Sequence, residues 1–252
     1  MSDAVSILIP VFNNPSDTRV CLDGILASTA ANRTDFQIIV CDDASDERAT
    51  IDYLTGLGDR IQLLRNEQNL GYTRSANRLL AAAKSDHAVL MNNDCVVRDD
   101  WLDPLVARLV GDPRLALVGT RARLGRGNDG KPTPVMVMFE CVGINMSAVR
   151  KEGPFDERFA PAYYEDDDYN VRVLLAGYRI DVIAEPKVAH EIPARSYGAA
   201  RRLELMRTNA RKFIDKWGQH PQVALYIRHV LFNPFTWKVG FSADDIAQLR
   251  GA

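Results

Sequence analysis

The chain has 252 residues, 46% of them hydrophobic, and 31 lysines and arginines face 33 aspartates and glutamates for a net charge of −2. That length suits one large domain, or one domain with an extension, and is enough to bury a substantial core. Balanced charge and ordinary composition argue against a disordered or polyanion-binding protein, so nucleic acid is not an expected partner.

The opening "MSDAVSILIPVF" lacks the basic start and long apolar stretch of a secretory leader, and its apolar piece breaks at Pro10. "VSILIPVF" reads as a buried strand and "PSDTRVCLDGILAST" as a helix beginning near Pro15 or Ser16. "FQIIVCDD" and "DERATIDYLTGL" repeat the pair, followed by the strand "IQLLRN" and the helix "YTRSANRLLAAAK". "HAVLMNND" is a fourth strand and "WLDPLVARLVG" a further helix. This alternation predicts βαβ units around a parallel sheet covered on both faces. The segment from Arg123 to Pro134, dense in Gly, Pro and charge, reads as a flexible loop, either closing over a ligand or forming a surface excursion. "VMVMFECVGINMS" returns to strand character, and "GPFDERFAP" is rich in turns. In "YYEDDDYNVRVLLAGYR" the recurrence of Val171, Leu174, Leu175 and Tyr178 predicts a helix ending before Gly177. "YRIDVIAEPKVAH" gives another strand and an extended piece ending at His190, and a basic helix is expected from Ser196 to Trp217. No apolar run approaches the ~20 residues of a membrane span. Cys21, Cys41, Cys95 and Cys141 are scattered without CxxC spacing, which reads as reduced thiols and speaks against metal ligation by cysteine. The expected location is cytoplasmic.

Ligands of a parallel sheet bind outside the carboxyl ends of its strands. Asn13 and Asn14 follow the first strand, Asp42 and Asp43 end the second, Asn66 follows the third, and Asn92, Asn93 and Asp94 end the fourth. Asn13 and Asn14 are explained by the liking of Asn for turns and caps. The two paired clusters point to a site. The chain contains no GxxxxGK[ST], and no GxGxxG follows the first strand, so the usual backbone devices for gripping phosphate are missing. A carboxylate cluster binds a diphosphate only through a cation, and Mg²⁺ or Mn²⁺ takes oxygen ligands and bridges phosphates.

The motifs "SILIPVFNN", "VCDDAS", "NLGYTRSAN", "LMNNDCVV", "GPFDERF" and "YYEDDDYNVRVLLAGYR" come in the order found in family 2 glycosyltransferases. The chain resembles bacterial rhamnosyltransferase-like and galactofuranosyltransferase-like members over roughly residues 4–192. The resemblance implies an A-type glycosyltransferase fold, a mostly parallel sheet with a Rossmann-like nucleotide-binding half. It also implies a nucleotide-sugar donor, a divalent metal (Mn²⁺ or Mg²⁺) and inversion at the anomeric carbon. Carried over position by position, Asp42 and Asp43 are to read the base and ribose, with Pro10 and Asn13 as the strand-end loop against which the base packs. Asn69 and Gly71 belong to the donor-binding "NxG" element, with Gly71 and Asn77 open to a purely structural role. "NND" stands where the family has Asp-x-Asp, so Asp94 becomes the metal ligand and Asn92 replaces the first acid, with Asn93 between them. His190 is implied as a further metal ligand, against the alternative of a satisfied polar residue at a strand end. Glu165 and Asp166 match the family's Glu-Asp pair, and Asp166 is the implied general base.

The run from Glu165 to Asp168 is compatible with the dipole at a helix start, which accounts for one or two acids but not four. Asp166 falls nearly opposite the apolar stripe and should face a cleft. Asp168 is placed to pair with Arg172 at i+4, and Asp167 receives no chemistry. Like-charge crowding should raise the pKa of one member, as suits a base.

The expected organisation is a catalytic domain over residues 1–195, with about 1–95 nucleotide-binding and 96–195 carrying acceptor and catalysis, then a helical extension over 196–252. The expected activity is inverting, metal-dependent transfer from a UDP- or dTDP-sugar to a carbohydrate or lipid-linked hydroxyl, in bacterial surface polysaccharide or glycoconjugate synthesis. The basic helix and apolar tail suit an anionic membrane surface, packing on the catalytic domain, or a homodimer contact. Three other readings stay open. A sugar-1-phosphate nucleotidyltransferase would want a basic Gly-rich loop after the first strand. A glycosidase also uses two carboxylates. A silent nucleotide-sugar-binding module draws support from Asn92.

Overall fold

In the computed structural model, which describes residues 4–126, 132–183, 187–190, 197–221 and 223, branched apolar runs become strands and amphipathic runs become helices. The first half alternates as β1 (Val5–Val11), α1 (Pro15–Ala27), β2 (Phe36–Asp42), α2 (Arg48–Gly56), β3 (Gln62–Arg65), α3 (Tyr72–Ala82) and β4 (His87–Met91). A short β5 (Val96–Val97) and α4 (Leu102–Gly111) follow. Next come β6 (Leu115–Gly119), β7 (Ala122–Arg126), β8 (Pro132–Val137), β9 (Cys141–Asn145) and α5 (Met146–Glu152). The chain closes with α6 (Glu165–Leu175), β10 (Arg179–Val182), β11 (Val188–Ala189) and α7 (Ala199–Trp217).

The central sheet has the order β10-β6-β9-β4-β1-β2-β3. β1 pairs in parallel with β2 and β4, and β2 with β3, as the alternation predicts. β9, however, lies antiparallel between β4 and β6, with Met91 opposite Cys141 and Gly119 opposite Val142. The sheet is therefore mostly parallel rather than wholly so. Its reversal brings the start of β9 to the edge where β4 and β6 end. Alternate strand residues face opposite layers. Ile7, Ile9 and Val11 pack toward α1, α2 and α4, whereas Leu8 packs toward α3, α5 and α6. α4 lies directly on β9 at Gly143, where a Cβ would collide with Leu105 and Leu109.

Three expectations need correction. The Arg123–Pro134 segment is not simply a loop, because β7 and β8 pair antiparallel as a hairpin arm with Ala122 opposite Val137. Its tip, residues 127–131, lies outside the described residues. Pro10 sits within β1, buried and paired with Cys41, and not in a strand-end loop. β4 pairs with β1 only from Ser6 to Leu8, so a residue without an N–H is tolerated beyond that stretch. The third concerns α6, whose buried face is Tyr169, Asn170, Val171 and Val173 together with three acids, while Leu174 and Leu175 are exposed. The apolar spacing did predict a helix, and of its stripe Val171 is buried and Tyr178 packs on the core, but Leu174 and Leu175 face outward. All four cysteines are free and buried. Among the described residues no helix is long and apolar enough to cross a membrane. The apolar tail lies outside the described residues from 224 onward.

Candidate active site

Parallel strands end together, so their polar tips gather on one rim. On the β1–β3 side these tips are already bonded to one another. Asn13 and Asn14 both adopt left-handed backbone, at φ 53° and 58°. The Asn13 side-chain oxygen accepts from Asp46 N and Glu47 N at 3.0 Å each, and its amide donates to Asp46 at 2.7 Å. Asp42 is buried, accepts from Ser45 N at 2.9 Å and pairs with the Arg65 guanidinium. Asp43, also buried, accepts from Asn66 Nδ2 at 2.6 Å, Leu70 N at 2.8 Å and Gly71 N at 2.8 Å. It thereby closes the loop after β3. Gly71 has φ 84°, and a Cβ there would collide with Pro161, so only glycine suits the position. Asn77 bonds both backbone groups of Phe155 at 2.9 Å, pinning α3 to the turn before α6. Asn69 is exposed beside this loop. Arg74, in the first turn of α3, pairs with Glu157 at 3.1 Å.

The β4 side is different. Asn93 donates to Thr18 Oγ1 at 2.7 Å, and Asn92 is held by its backbone to Glu140 O at 2.9 Å. Asp94 Oδ1 lies 3.0 Å from His190 Nε2. The two residues are far apart in sequence and meet because β11 pairs antiparallel with β5, setting Ala189 opposite Val96. By distance this is an ion pair, yet both atoms are buried and neither is aligned in a hydrogen bond. Contact with the Asp94 carboxylate, outweighing burial, raises the pKa of His190. One oxygen and one imidazole nitrogen, converging and otherwise unsatisfied, fit a hard divalent cation. Among the described residues no group of three or more His, Cys, Asp or Glu could hold a metal alone. A cation here would therefore complete its shell with ligand oxygens and water.

Two neighbours of this pair were not anticipated. Glu140, buried at the start of β9, pairs with Arg121, just past β6, at 2.6 Å. Its backbone carbonyl accepts from Asn92 N and from Cys95 Sγ, so it flanks Asp94 on both sides. The signal was present as a lone acid in the apolar run "VMVMFECVGIN", but only the reversed direction of β9 gives that acid a place on the rim.

α6 begins on the same rim. Tyr163 and Tyr164 precede it with φ 76° and 74°, an unusual conformation for bulky residues that tends to occur at functional sites. Of the four acids, Glu165, Asp167 and Asp168 are buried and Asp166 is partly exposed. Asp166 accepts from Asp167 N at 2.9 Å. Glu165 accepts a long bond from Thr73 Oγ1 at 3.4 Å. Burial first, then the Asp166 charge, push the Glu165 carboxyl well above its ordinary range. The crowding expected to favour the base thus falls on the neighbour of Asp166. Asp168 pairs with Arg172 at 3.0 Å, as the i+4 spacing predicts.

Aromatic residues bridge the two sides. The Tyr72 hydroxyl donates to Phe139 O at 3.5 Å, and burial, then Glu165, Asp166, Cys95 and Glu140, push its phenol well up. Tyr197 packs on Tyr163 with ring centroids 6.3 Å apart, and burial, then Asp43 and Glu165, raise its pKa. Neither tyrosine carried a sequence signal beyond its chemistry.

A sequence profile described as Glycosyl transferase family 2 matches residues 6–168, well over half of the chain. The chain is 24% identical over 107 residues to "Glycosyltransferase GlyG" of Streptococcus pneumoniae, covering 42% of this chain and 35% of that protein. It is 22% identical over 126 residues to an uncharacterized glycosyltransferase of Haemophilus influenzae, covering 50% and 41%. The chain thus spans less than half the length of these curated relatives. Its backbone is similar, at TM-score 0.70 and 16% identity, to mannosyltransferase PcManGT from Pyrobaculum calidifontis, solved with GDP-Man and Mn²⁺, over 98% of this chain and 74% of that one. This likeness and the sheet order give an A-type glycosyltransferase fold. The chain belongs to glycosyl transferase family 2.

Proposed function

We propose that this domain transfers a sugar, with inversion, from a nucleotide-diphosphate sugar to a hydroxyl acceptor. The observation that carries the reading is the rim shared by two acidic groups of different kinds. Asp94 with His190 forms one and Glu165 with Asp166 the other, and the start of α3 touches both neighbourhoods, Tyr72 Oη donating to Phe139 O beside Glu140 at 3.5 Å and Thr73 Oγ1 to Glu165 at 3.4 Å. Asp166, the partly exposed acid at the start of α6, takes the proton of the acceptor hydroxyl as its oxygen attacks the anomeric carbon from the face opposite the leaving diphosphate. Glu165 holds a proton in the pair, because two ionised carboxylates side by side in a dry turn repel. Asp94 and His190 would hold Mn²⁺ or Mg²⁺, which when bound offsets the charge of the diphosphate. Asp42, Asp43 and the Asn69–Gly71 loop shape the nucleoside side, where Asp43 Oδ2 accepts one bond and keeps a lone pair for a base or ribose hydroxyl.

The donor is a UDP- or dTDP-sugar, and the GDP-Man of the structural neighbour adds a guanosine donor to those worth testing. The acceptor belongs to a bacterial surface polysaccharide or glycoconjugate, and residues 1–195 form the catalytic unit. Lys212 and Lys216 of the basic helix turn inward, to Arg158 O at 2.7 Å and to Asp156 at 2.7 Å, which favours packing on the catalytic domain over a fully solvated basic face.

Calorimetry with UDP, dTDP and GDP, with and without Mn²⁺, tests the binding half. Affinity should depend on Mn²⁺ in the natural protein and lose that dependence in Asp94→Ala. Asp166→Asn should bind nucleotide normally and turn over ~10²–10⁴ more slowly, the usual scale for a lost general base. Normal turnover by that variant removes Asp166 from the role.

A further inference from the structure

The chain beyond the matched family segment is not a bystander to the turn that carries Asp166. Asn209, in the middle of α7, is buried. Its amide nitrogen lies 2.6 Å from Phe159 O, 2.9 Å from Ala162 O and 3.0 Å from Tyr163 O. Two N–H groups serve three carbonyls, and the side-chain oxygen on the other side is buried without a hydrogen-bond partner. Turning the amide over would set oxygen against three oxygens, so the orientation is fixed by charge. A buried amide left half unsatisfied needs an explanation, since such groups are rare.

The carbonyls it gathers belong to the segment that delivers the chain to α6. The last of them, Tyr163, and its neighbour Tyr164 are left-handed, and Glu165 and Asp166 follow. α7 grips the far side of this corner as well. Tyr164 packs on Phe213 with ring centroids 5.7 Å apart. Asp168 accepts from Lys216 Nζ at 2.6 Å and from Trp217 Nε1 at 2.8 Å. The left-handed corner has no glycine to ease it, so something outside must hold it: α3 does so through Thr73 N, which donates to Pro161 O at 3.1 Å, and α7 through Asn209 and Phe213.

We infer that Asn209 is a positioning residue, whose N–H groups tie the Phe159–Tyr163 carbonyls to α7 so that α6 starts with Asp166 aimed at the acceptor. The inference rests on the proposed role of Asp166. It makes α7 part of the catalytic unit and moves the functional boundary past residue 195.

The test uses the full chain. Asn209→Asp keeps the shape but has no N–H to offer, and Asn209→Ser keeps one donor without adding charge. Thermal stabilisation by UDP-glucose, dTDP-rhamnose and GDP-mannose with Mn²⁺ first selects a donor, and release of its nucleoside diphosphate then reports turnover. For Asn209→Asp, kcat per folded molecule should fall about 10²-fold, the scale of a catalytic group misplaced by an ångström. Nucleoside diphosphate affinity should stay within about twofold, because the Asn69–Gly71 loop meets this corner at Pro161, whose carbonyl is held by Thr73 N and not by Asn209. Asn209→Ser should recover part of the loss, and it carries the test if the aspartate variant does not fold. A folded variant with natural kcat overturns the inference. So does a loss of kcat matched by an equal loss of nucleotide affinity, which marks Asn209 as a fold residue only. Asp166→Asn is run alongside: natural turnover there places the failure in the reading of the base and not in Asn209.

Discussion

The nucleotide side and the transfer side of the rim are built from the same residue types and treated in opposite ways. Around β1–β3, Asp42, Asp43 and Asn13 spend their oxygens on neighbouring backbone and side chains. Around β4 and α6, Asp94 and His190 face each other without an aligned hydrogen bond, and Glu165 is buried beside the Asp166 charge, its contact with Thr73 Oγ1 long at 3.4 Å. A satisfied carboxylate is a scaffold, whereas a crowded or orphaned one lowers the stability of the empty protein and is retained for what it can bind or protonate. Even within the acidic run the division holds. Asp168 is fully satisfied by Arg172, Lys216 and Trp217, while Glu165 is not.

This contrast can be broken by stability measurements on the ligand-free protein. The largest effect should come from Asp168→Ala, which removes the buried carboxylate shared by Arg172, Lys216 and Trp217 and leaves a cavity. Losing one partner of a buried ion pair costs ~3–5 kcal/mol, read as a lower urea midpoint. Asp43→Ala should follow, because it orphans Leu70 N, Gly71 N and Asn66 Nδ2. A loss of ~1–3 kcal/mol is expected, and an unchanged midpoint would mean the nucleotide side is not the scaffold described.

Glu165→Gln should act through pH. The folded carboxyl has a pKa well above its unfolded value, so its stabilising contribution is complete below the unfolded value of about 4.3. Above that, the unfolded chain releases its proton first, and the contribution is lost as pH rises toward the folded pKa. The natural protein should therefore lose stability between about pH 4 and neutrality more steeply than the Gln variant. Equal slopes would contradict the burial argument. Asp94→Ala should have the smallest effect, within ~0.5 kcal/mol in chelator. The natural protein but not the variant should gain stability with Mn²⁺ and a nucleoside diphosphate, since a ligand confined to the native state raises its apparent stability.

Much of this architecture was legible in local pattern. The β1–α1–β2–α2–β3–α3–β4 series followed from apolar runs and helical spacing, and its parallel pairing followed from the alternation. The strand-end clusters at Asp42–Asp43 and Asn92–Asp94 were visible for the same reason. Less legible was the second half. "LALVG" carries no alternation to mark it as β6, and the hairpin of β7 and β8 is masked by Gly and Pro that normally signal loops. Apolar spacing placed Val171 inward but missed the burial of three acids of α6, because their partners come from elsewhere, among them Lys216 and Trp217 of α7.

By itself the sequence determined which segments become strands and helices, which polar groups stand at their ends, and that four acids open one helix. Those are matters of neighbours within a turn or two, where periodicity, capping and charge act directly. Only the tertiary structure decided that β9 runs backwards and brings Glu140 to the rim, that β11 carries His190 to Asp94, and that Asn209 holds the corner before Asp166. Each of these joins residues far apart in the chain, where sheet register and helix packing set the meeting and no local preference encodes it.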